Sequence, residues 1–378
     1  MTTTRLLLVG GGHAHVEVLR RFAERREPGI ELSLVSTDAA LTYSGMLPGV
    51  VAGNYEAVQA QIPLAPLAQA AGARFVCGHV VAVDLYTKIV RLASGEMEPF
   101  DGLSLDVGAA PDMSVPGAAL HALPVKPFPE FLSAWNTLQA DVAGERVRNI
   151  AVVGGGAGGV EMLLAMQFRL AAQFGPAAPR FTLLTDSATV LPEHVAAVQR
   201  RLAAKLVQRE VVLKPRSPVT AVESGALMTA AGVRIASDRI VWATGAAPQR
   251  WLAASGLACD ERGFVRVDDC LQSASHPFVF AAGDCASQDG HPHPRSGVYA
   301  VRQGPVLAAN LRHAVRREAL QRYRPQRTAL AIITTGGRHA VATRSAFVAE
   351  GDWVWRWKDR IDRAFVARYQ VVASPTDG

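Results

Sequence analysis

Residues 5–16 read Arg5-Leu6-Leu7-Leu8-Val9-Gly10-Gly11-Gly12-His13-Ala14-His15-Val16, and residues 151–161 read Ala151-Val152-Val153-Gly154-Gly155-Gly156-Ala157-Gly158-Gly159-Val160-Glu161. In both, an apolar run with the character of a buried parallel strand enters a glycine-rich turn and leaves it as a helical pattern. That is the local context of a diphosphate cradle. Glycine lets the backbone turn tightly and approach phosphate without a Cβ in the way. The following helix aims its positive end at the anion. One such turn also serves as a plain strand-to-helix connection. Two in register predict two dinucleotides on an α/β fold with two Rossmann-like dinucleotide-binding domains.

The copies differ. Gly154, Gly156 and Gly159 fill all three glycine positions, whereas Gly10 and Gly12 are followed by His15 where the third glycine is expected. That glycine normally lets helix and strand pack closely, so His15 either needs extra room or serves the ligand. Both readings stand at this point, and His13, Ala14 and His15 are candidate cofactor contacts together with the glycines. The acidic ribose contact should fall about 20 residues past the first turn. Ser36 occupies that point and Asp38 lies two positions later. In the second copy Thr185 holds the corresponding place with Asp186 next to it. A carboxylate there repels a 2′-phosphate and no Arg follows, which favours NADH over NADPH.

A third segment assigns the first nucleotide. Phe278-Val279-Phe280-Ala281-Ala282-Gly283-Asp284 reads as a buried strand ending in Gly-Asp, and Gly297-Val298-Tyr299 opens a helix. A carboxylate at the carboxyl end of such a strand can accept hydrogen bonds from a flavin's ribityl chain. The helix N-terminus beyond it can face the pyrimidine edge, where charge gathers on reduction. Phe100-Asp101-Gly102-Leu103-Ser104-Leu105-Asp106-Val107-Gly108-Ala109-Ala110-Pro111 mirrors Ile240-Val241-Trp242-Ala243-Thr244-Gly245-Ala246-Ala247-Pro248, and each would return the chain between domains. Gly108, Ala109 and Gly245 are counted among the cofactor-binding candidates.

The order of the two turns, Ala243-Thr244-Gly245 and Gly283-Asp284 resembles the two-dinucleotide-fold flavoproteins of the pyridine nucleotide-disulfide oxidoreductase superfamily. Tyr43-Ser44-Gly45-Met46-Leu47-Pro48-Gly49, Val125-Lys126-Pro127 and Trp357-Lys358-Asp359-Arg360 look like the branch near type II NADH dehydrogenases. More narrowly, they resemble the flavoprotein module associated with selenophosphate synthetase. The resemblance runs from residue 5 to about residue 369. It implies FAD and NADH as cofactors, with hydride passing from NADH to the flavin and electrons on to an acceptor such as a quinone. It also implies that Glu161 lies where nicotinamide meets flavin; a helix-end carboxylate answering the dipole is the equal alternative. Lys126, between the folds, is the second catalytic candidate, able to favour anionic reduced species near flavin or acceptor, or else a solvent-exposed linker lysine. Tyr43 either closes on the isoalloxazine ring or anchors its loop.

A chain of 378 residues predicts two or three domains. The motifs divide it as an FAD-binding domain over 1–115 and 246–325, a connector over 116–146, a NAD(P)H-binding domain over 147–245 inserted in the first, and a C-terminal hairpin and amphipathic helix over 326–378. The formal charge of +6 is spread along the chain, which does not indicate nucleic acid. No run of eighteen apolar residues occurs and no signal peptide precedes the first strand, so a cytoplasmic protein is expected. The four cysteines, Cys77, Cys259, Cys270 and Cys285, include no Cys-x-x-Cys or Cys-x4-Cys pair, which argues against a dithiol relay.

Near the C-terminus, residues 329–342 read as two β-branched strands around Gly336-Gly337. Trp357, Ile361, Ala364, Phe365 and Arg368 then fall on one helical face, with Arg356, Lys358, Arg360 and Arg363 around it. Such a face packs on the protein body or a partner, or lies on an anionic membrane as a peripheral contact at its inner face. The reading from another class is an FAD-binding regulatory or partner module linked to selenium metabolism, with selenophosphate synthetase as partner. The substitutions at His15, Ser36 and Thr185 give it footing.

Overall fold

The computed structural model describes residues 3–370. Its first sheet is five-stranded and wholly parallel, in the order Val279–Ala281, Gly102–Leu105, Thr4–Val9, Ile30–Ser36, Arg74–Cys77. Leu6, Leu7, Leu8 and Val9 are all buried because both faces of the central strand are covered, as the unbroken apolar run requires. Each such side chain contributes about 1.5–3 kcal/mol when taken fully from water. The helix His13–Glu24 lies on this sheet against the helix Gly297–Arg316. At their crossing Gly304 faces the Glu17 side chain with no Cβ between them. Glu17 is buried, and Arg20, Arg21 and the Tyr369 hydroxyl satisfy its carboxylate.

The second sheet repeats the plan in the order Leu123–Pro124, Arg239–Trp242, Asn149–Val153, Arg180–Leu184, Val212–Lys214, again all parallel. Within 116–146, Leu123–Pro124 adds a strand to this sheet and Phe128–Ala143 forms a helix that buries Phe131, Trp135 and Leu138. The helix Ala157–Phe174 buries Val160, Leu163, Leu164 and Ala165.

In each half a three-stranded antiparallel sheet, 80–99 in the first and 219–236 in the second, precedes a parallel strand, Gly102–Leu105 or Arg239–Trp242. The chain then crosses to the other half. The two crossings run side by side, Ala110 and Pro111 pairing antiparallel with Ala247 and Ala246. The mirrored segments of the sequence are therefore also neighbours in space.

The C-terminal region holds one strand more than the expected hairpin. Ala331–Thr334 and Ala340–Arg344 pair around Gly336-Gly337 as read, and Phe347–Gly351 adds a third antiparallel strand. The helix Asp352–Arg368 follows, and its buried face is Val354, Trp355, Lys358, Asp362 and Val366. The face read from spacing is turned the other way: Trp357, Ile361, Ala364 and Arg368 are exposed and Phe365 is half-buried. Spacing identified a stripe, but a charged pair, Lys358 and Asp362, took the interior because each meets a partner there.

Candidate functional site

Both glycine turns sit at the carboxyl ends of central parallel strands, where ligands of open α/β sheets bind. Gly10 and Gly154 have φ of +93° and +127°, which L side chains rarely adopt, and a Cβ on either would strike the neighbouring strand's backbone. Above the first turn a cavity of about 510 Å³ opens. It is lined by Gly10, Gly12, His13, Ser36, Gly108, Ala109, Lys126, Glu161, Asp284 and Gly297 among the predicted residues. The others divide into two groups. Gly154, Gly156, Gly159, Asp186 and Gly245 stand at the second turn or its sheet edge, outside that lining, and Ala14, His15, Tyr43, Gly283 and Val298 lie close in the chain to lining residues without lining the cavity themselves.

His13 brings an unpaired polar atom to the cavity. Its Nε2 is buried without a hydrogen-bond partner, and burial pushes the imidazole down to about 4, so the ring is neutral at pH 7. It meets the Tyr43 ring edge-on at 5.7 Å, and Tyr43 in turn stacks on Phe365 at 4.5 Å. The Tyr43 hydroxyl donates to Asp362 Oδ1 at 3.3 Å, so Tyr43 anchors its loop to the C-terminal helix.

His15 does not face the ligand. It is completely buried, with Nδ1 at 2.6 Å from the Gly10 carbonyl and Nε2 at 2.8 Å from Ser104 Oγ. Only an N–H can meet a carbonyl, so the proton sits on Nδ1 and Nε2 accepts from the serine. Burial holds this imidazole down at about 4 as well. The missing third glycine is thus replaced by a core residue that braces the turn, which corrects the candidate ligand role.

Asp284 follows the Gly283 turn, whose N–H donates to Gln303 Oε1 at 2.7 Å from the helix 297–316. Its Oδ2 is 3.4 Å from Lys126 Nζ, so the lysine is an ion-pair partner at the cavity and not a free linker residue. Ser36 is buried at the end of its strand, and Asp38 beside it is pushed upward by burial and by Glu130.

Glu161 reaches the cavity from the helix of the second turn. Its Oε1 accepts from the Thr334 N–H at 2.7 Å and the Thr334 hydroxyl at 3.1 Å. Burial raises its carboxyl, against the nearby Lys358. Lys358 donates from Nζ to the Gly45 carbonyl and to Asp362 Oδ2, both at 2.6 Å. The second turn itself is open: a Cβ on Gly156 or Gly158 would meet nothing within 4 Å. Thr185 is buried beneath Gly155, and Asp186 is exposed at the strand end.

Several residues of this region escaped the sequence reading. Asp106, Arg295, Lys358 and Asp362 are the main ones. Asp106 lines the cavity and its Oδ2 accepts from the N–H groups of Ala14 and His15 at 2.7 and 3.1 Å. The signal was available, since Asp106 is a carboxylate at the carboxyl end of a buried strand, and the mirrored segment has Ala243 there. Arg295 lies over the Phe264 ring at 3.4 Å and pairs with Asp260 at 3.3 Å.

A family model, pyridine nucleotide-disulphide oxidoreductase, matches residues 4–304. The chain is 26% identical over 293 residues to the NADH dehydrogenase-like protein MT1860 of Mycobacterium tuberculosis (strain CDC 1551 / Oshkosh), covering 75% of this chain and 73% of that protein. Among solved structures, the sulfide:quinone oxidoreductase of Aquifex aeolicus superimposes with a TM-score of 0.81 at 17% identity, over 97% of this chain and 91% of the other. NDH2 of Plasmodium falciparum, solved with NADH, superimposes with a TM-score of 0.80 at 12% identity, over 97% of each chain. These two likenesses speak to the fold.

Proposed function

The chain belongs to the pyridine nucleotide-disulphide oxidoreductase family, and from that membership we propose that it is an FAD-dependent NADH dehydrogenase passing electrons to a quinone-class acceptor without a redox disulfide. One observation carries the reading: Glu161, from the helix of the second glycine turn, lines the same cavity as Gly10, Gly12, His13 and Asp284 of the first fold. A nicotinamide held by one fold and a flavin held by the other would meet where that helix begins.

The residues fit FAD. The first turn and His13, at the start of the helix 13–24, offer backbone N–H groups to a diphosphate, those of Ala14 and His15 being taken by Asp106, and Asp284 stands at the expected ribityl position. The orphaned Nε2 of neutral His13 offers one further hydrogen bond. Bound there, FAD would supply hydride acceptance and electron storage, which no side chain of this protein provides. The protein supplies orientation and field. Lys126, paired with Asp284, places positive charge beside the cavity, where negative charge would develop. Glu161, raised by burial and oriented by Thr334, can hold a proton at the cavity wall. Lys358 and Asp362 fix the loop at Gly45 over the same region.

Three further features support the finer reading. Asp186 at the end of the second-fold strand favours NADH over NADPH. Among the described residues no helix is long and apolar enough to cross a membrane, yet Trp353, Trp357 and Ile361 form an exposed stripe flanked by Arg356 and Arg360, which suits peripheral contact with an anionic surface. The relatives' names, NADH dehydrogenase-like and sulfide:quinone oxidoreductase, point to the same donor and acceptor classes.

The test is anaerobic mixing of the yellow protein with NADH, followed by a short-chain ubiquinone analogue. Loss of flavin absorbance on the first addition and its recovery on the second are expected. Protein that dithionite bleaches but NADH does not would overturn the donor assignment. Bleached protein that the quinone fails to reoxidise would overturn the acceptor.

A further inference from the structure

The first glycine turn carries something the second lacks. In the mirrored strand ends, Leu105-Asp106-Val107-Gly108 matches Trp242-Ala243-Thr244-Gly245, so a carboxyl group stands where the second copy has a methyl. Asp106 is 3% exposed. Its Oδ2 takes the N–H groups of Ala14 and His15, in the first turn of the helix 13–24. Its Oδ1 accepts no hydrogen bond from any described residue and lies in the gap between Gly12 and Gly283, where a Cβ on either glycine would fall on the carboxyl group. The residue also lines the cavity. An unsatisfied carboxyl oxygen therefore sits in the wall of the cradle that has to receive a diphosphate.

We propose that Asp106 binds FAD as a neutral acid, its Oδ1–H donating a hydrogen bond to the flavin's diphosphate while Oδ2 keeps the two helix N–H groups. The inference rests on FAD occupying this cavity. An ionised Asp106 would set a third negative charge against the diphosphate in a water-poor wall, whereas the neutral acid turns the repulsion into a donor. The surroundings permit that state. The helix N–H groups favour the anion, but burial opposes it more strongly and pushes the carboxyl up to about 7. Asp284 adds repulsion across the cavity. Of the other ionisable groups in this region, His13 and His15 are neutral, the Cys285 thiol is buried and protonated, Lys126 is ion-paired with Asp284, Arg295 is paired with Asp260, and Glu161 stands on the helix of the second turn.

A bound diphosphate raises the acid further, so binding is strongest below pH 7 and weakens as pH climbs through and above it. The purified flavoprotein is diluted and equilibrated between pH 5.5 and 8.5, and released FAD is read by its fluorescence. The dissociation constant should be flat at the acid end and rise towards tenfold per pH unit above about pH 7. Asp106→Asn keeps a donor but cannot titrate, and should vary less than about twofold over the range. Asp38→Asn, which removes another raised carboxyl at this cavity, should keep the parent's slope. Should Asp106→Asn fail to fold, the parent alone still decides: FAD leaving at pH 8 should release about one proton to an indicator dye.

A flat parent profile, an unchanged slope in Asp106→Asn, a slope lost in Asp38→Asn instead, or flavin leaving without a proton would each overturn the proposal. Protein that binds no FAD at any pH would instead refute the cofactor assignment beneath it.

Discussion

Glu161 and Thr334 lie 173 positions apart in sequence, yet one carboxylate oxygen of the first takes both the N–H, at 2.7 Å, and the hydroxyl, at 3.1 Å, of the second. The contact ties the helix of the second glycine turn to the C-terminal sheet and fixes a carboxyl at the cavity wall. A carboxyl fixed in this way makes the following consequences measurable.

Gly156 offers a clean separation of the two nucleotides. Its φ of −72° is open to any residue and nothing lies within 4 Å of the site of a Cβ, so Gly156→Val should fold normally. It should remain yellow and be bleached by dithionite, but lose reduction by NADH, because valine fills the approach to the second diphosphate. Unchanged affinity for NADH in stopped-flow mixing would remove the nicotinamide from this turn.

Asp284→Ala should lose a ribityl contact and leave Lys126 without its partner. Flavin retention should weaken by ~1–3 kcal/mol, the usual effect of a buried group left unpaired. The ratio of FAD to protein after dialysis is the readout, and undiminished flavin would contradict the assignment.

Thiol chemistry should be dispensable. Cys285 is wholly buried, its thiol pushed up to about 12, and Cys259 and Cys270 are also raised by burial, so all three remain protonated at pH 7 and poorly nucleophilic. Replacing them by Ser, singly or together, should leave NADH-to-acceptor turnover within a few-fold of the parent. A hundredfold loss in one well-folded variant would restore a sulfide or disulfide route.

The Lys358–Asp362 pair predicts a stability effect. Lys358→Met leaves Asp362 buried with only the Tyr43 hydroxyl and should cost ~3–5 kcal/mol in chemical denaturation, as removal of one partner of a buried pair does. Adding Asp362→Leu should recover part of that loss. Equal stability of parent and single variant would mean that water already solvates the pair.

The exposed stripe on the last helix tests membrane contact. Replacing Trp353, Trp357 and Ile361 by Ser leaves the buried face intact, so Tm should change little. Co-sedimentation with vesicles of mixed anionic phospholipid should fall by about tenfold or more. Parent protein that never sediments with such vesicles would leave this face to a protein partner.

Local chemistry wrote the framework into the sequence. The apolar runs at Leu6–Val9 and Ile150–Val153, the turns after them, and the mirrored returns at 100–111 and 240–248 could be read because strand burial, glycine φ and helix starts depend on residues within a few positions of one another. The same reading placed Gly10, Gly12, His13, Asp284 and Glu161 in candidate sites, and all five line one cavity. What only the tertiary structure decided depends on distant partners. His15 turned inward because the Gly10 carbonyl accepts from its Nδ1–H and the hydroxyl of Ser104, 89 positions away, donates to its Nε2. Asp106 became the cap of a helix 92 positions earlier in the chain. The face of the last helix was chosen by Gly45, 313 positions from Lys358, whose carbonyl lets a lysine be buried with Asp362 where spacing alone would have buried Trp357 and Ile361. A buried polar group goes where its partner is, and the position of that partner is a property of the folded chain.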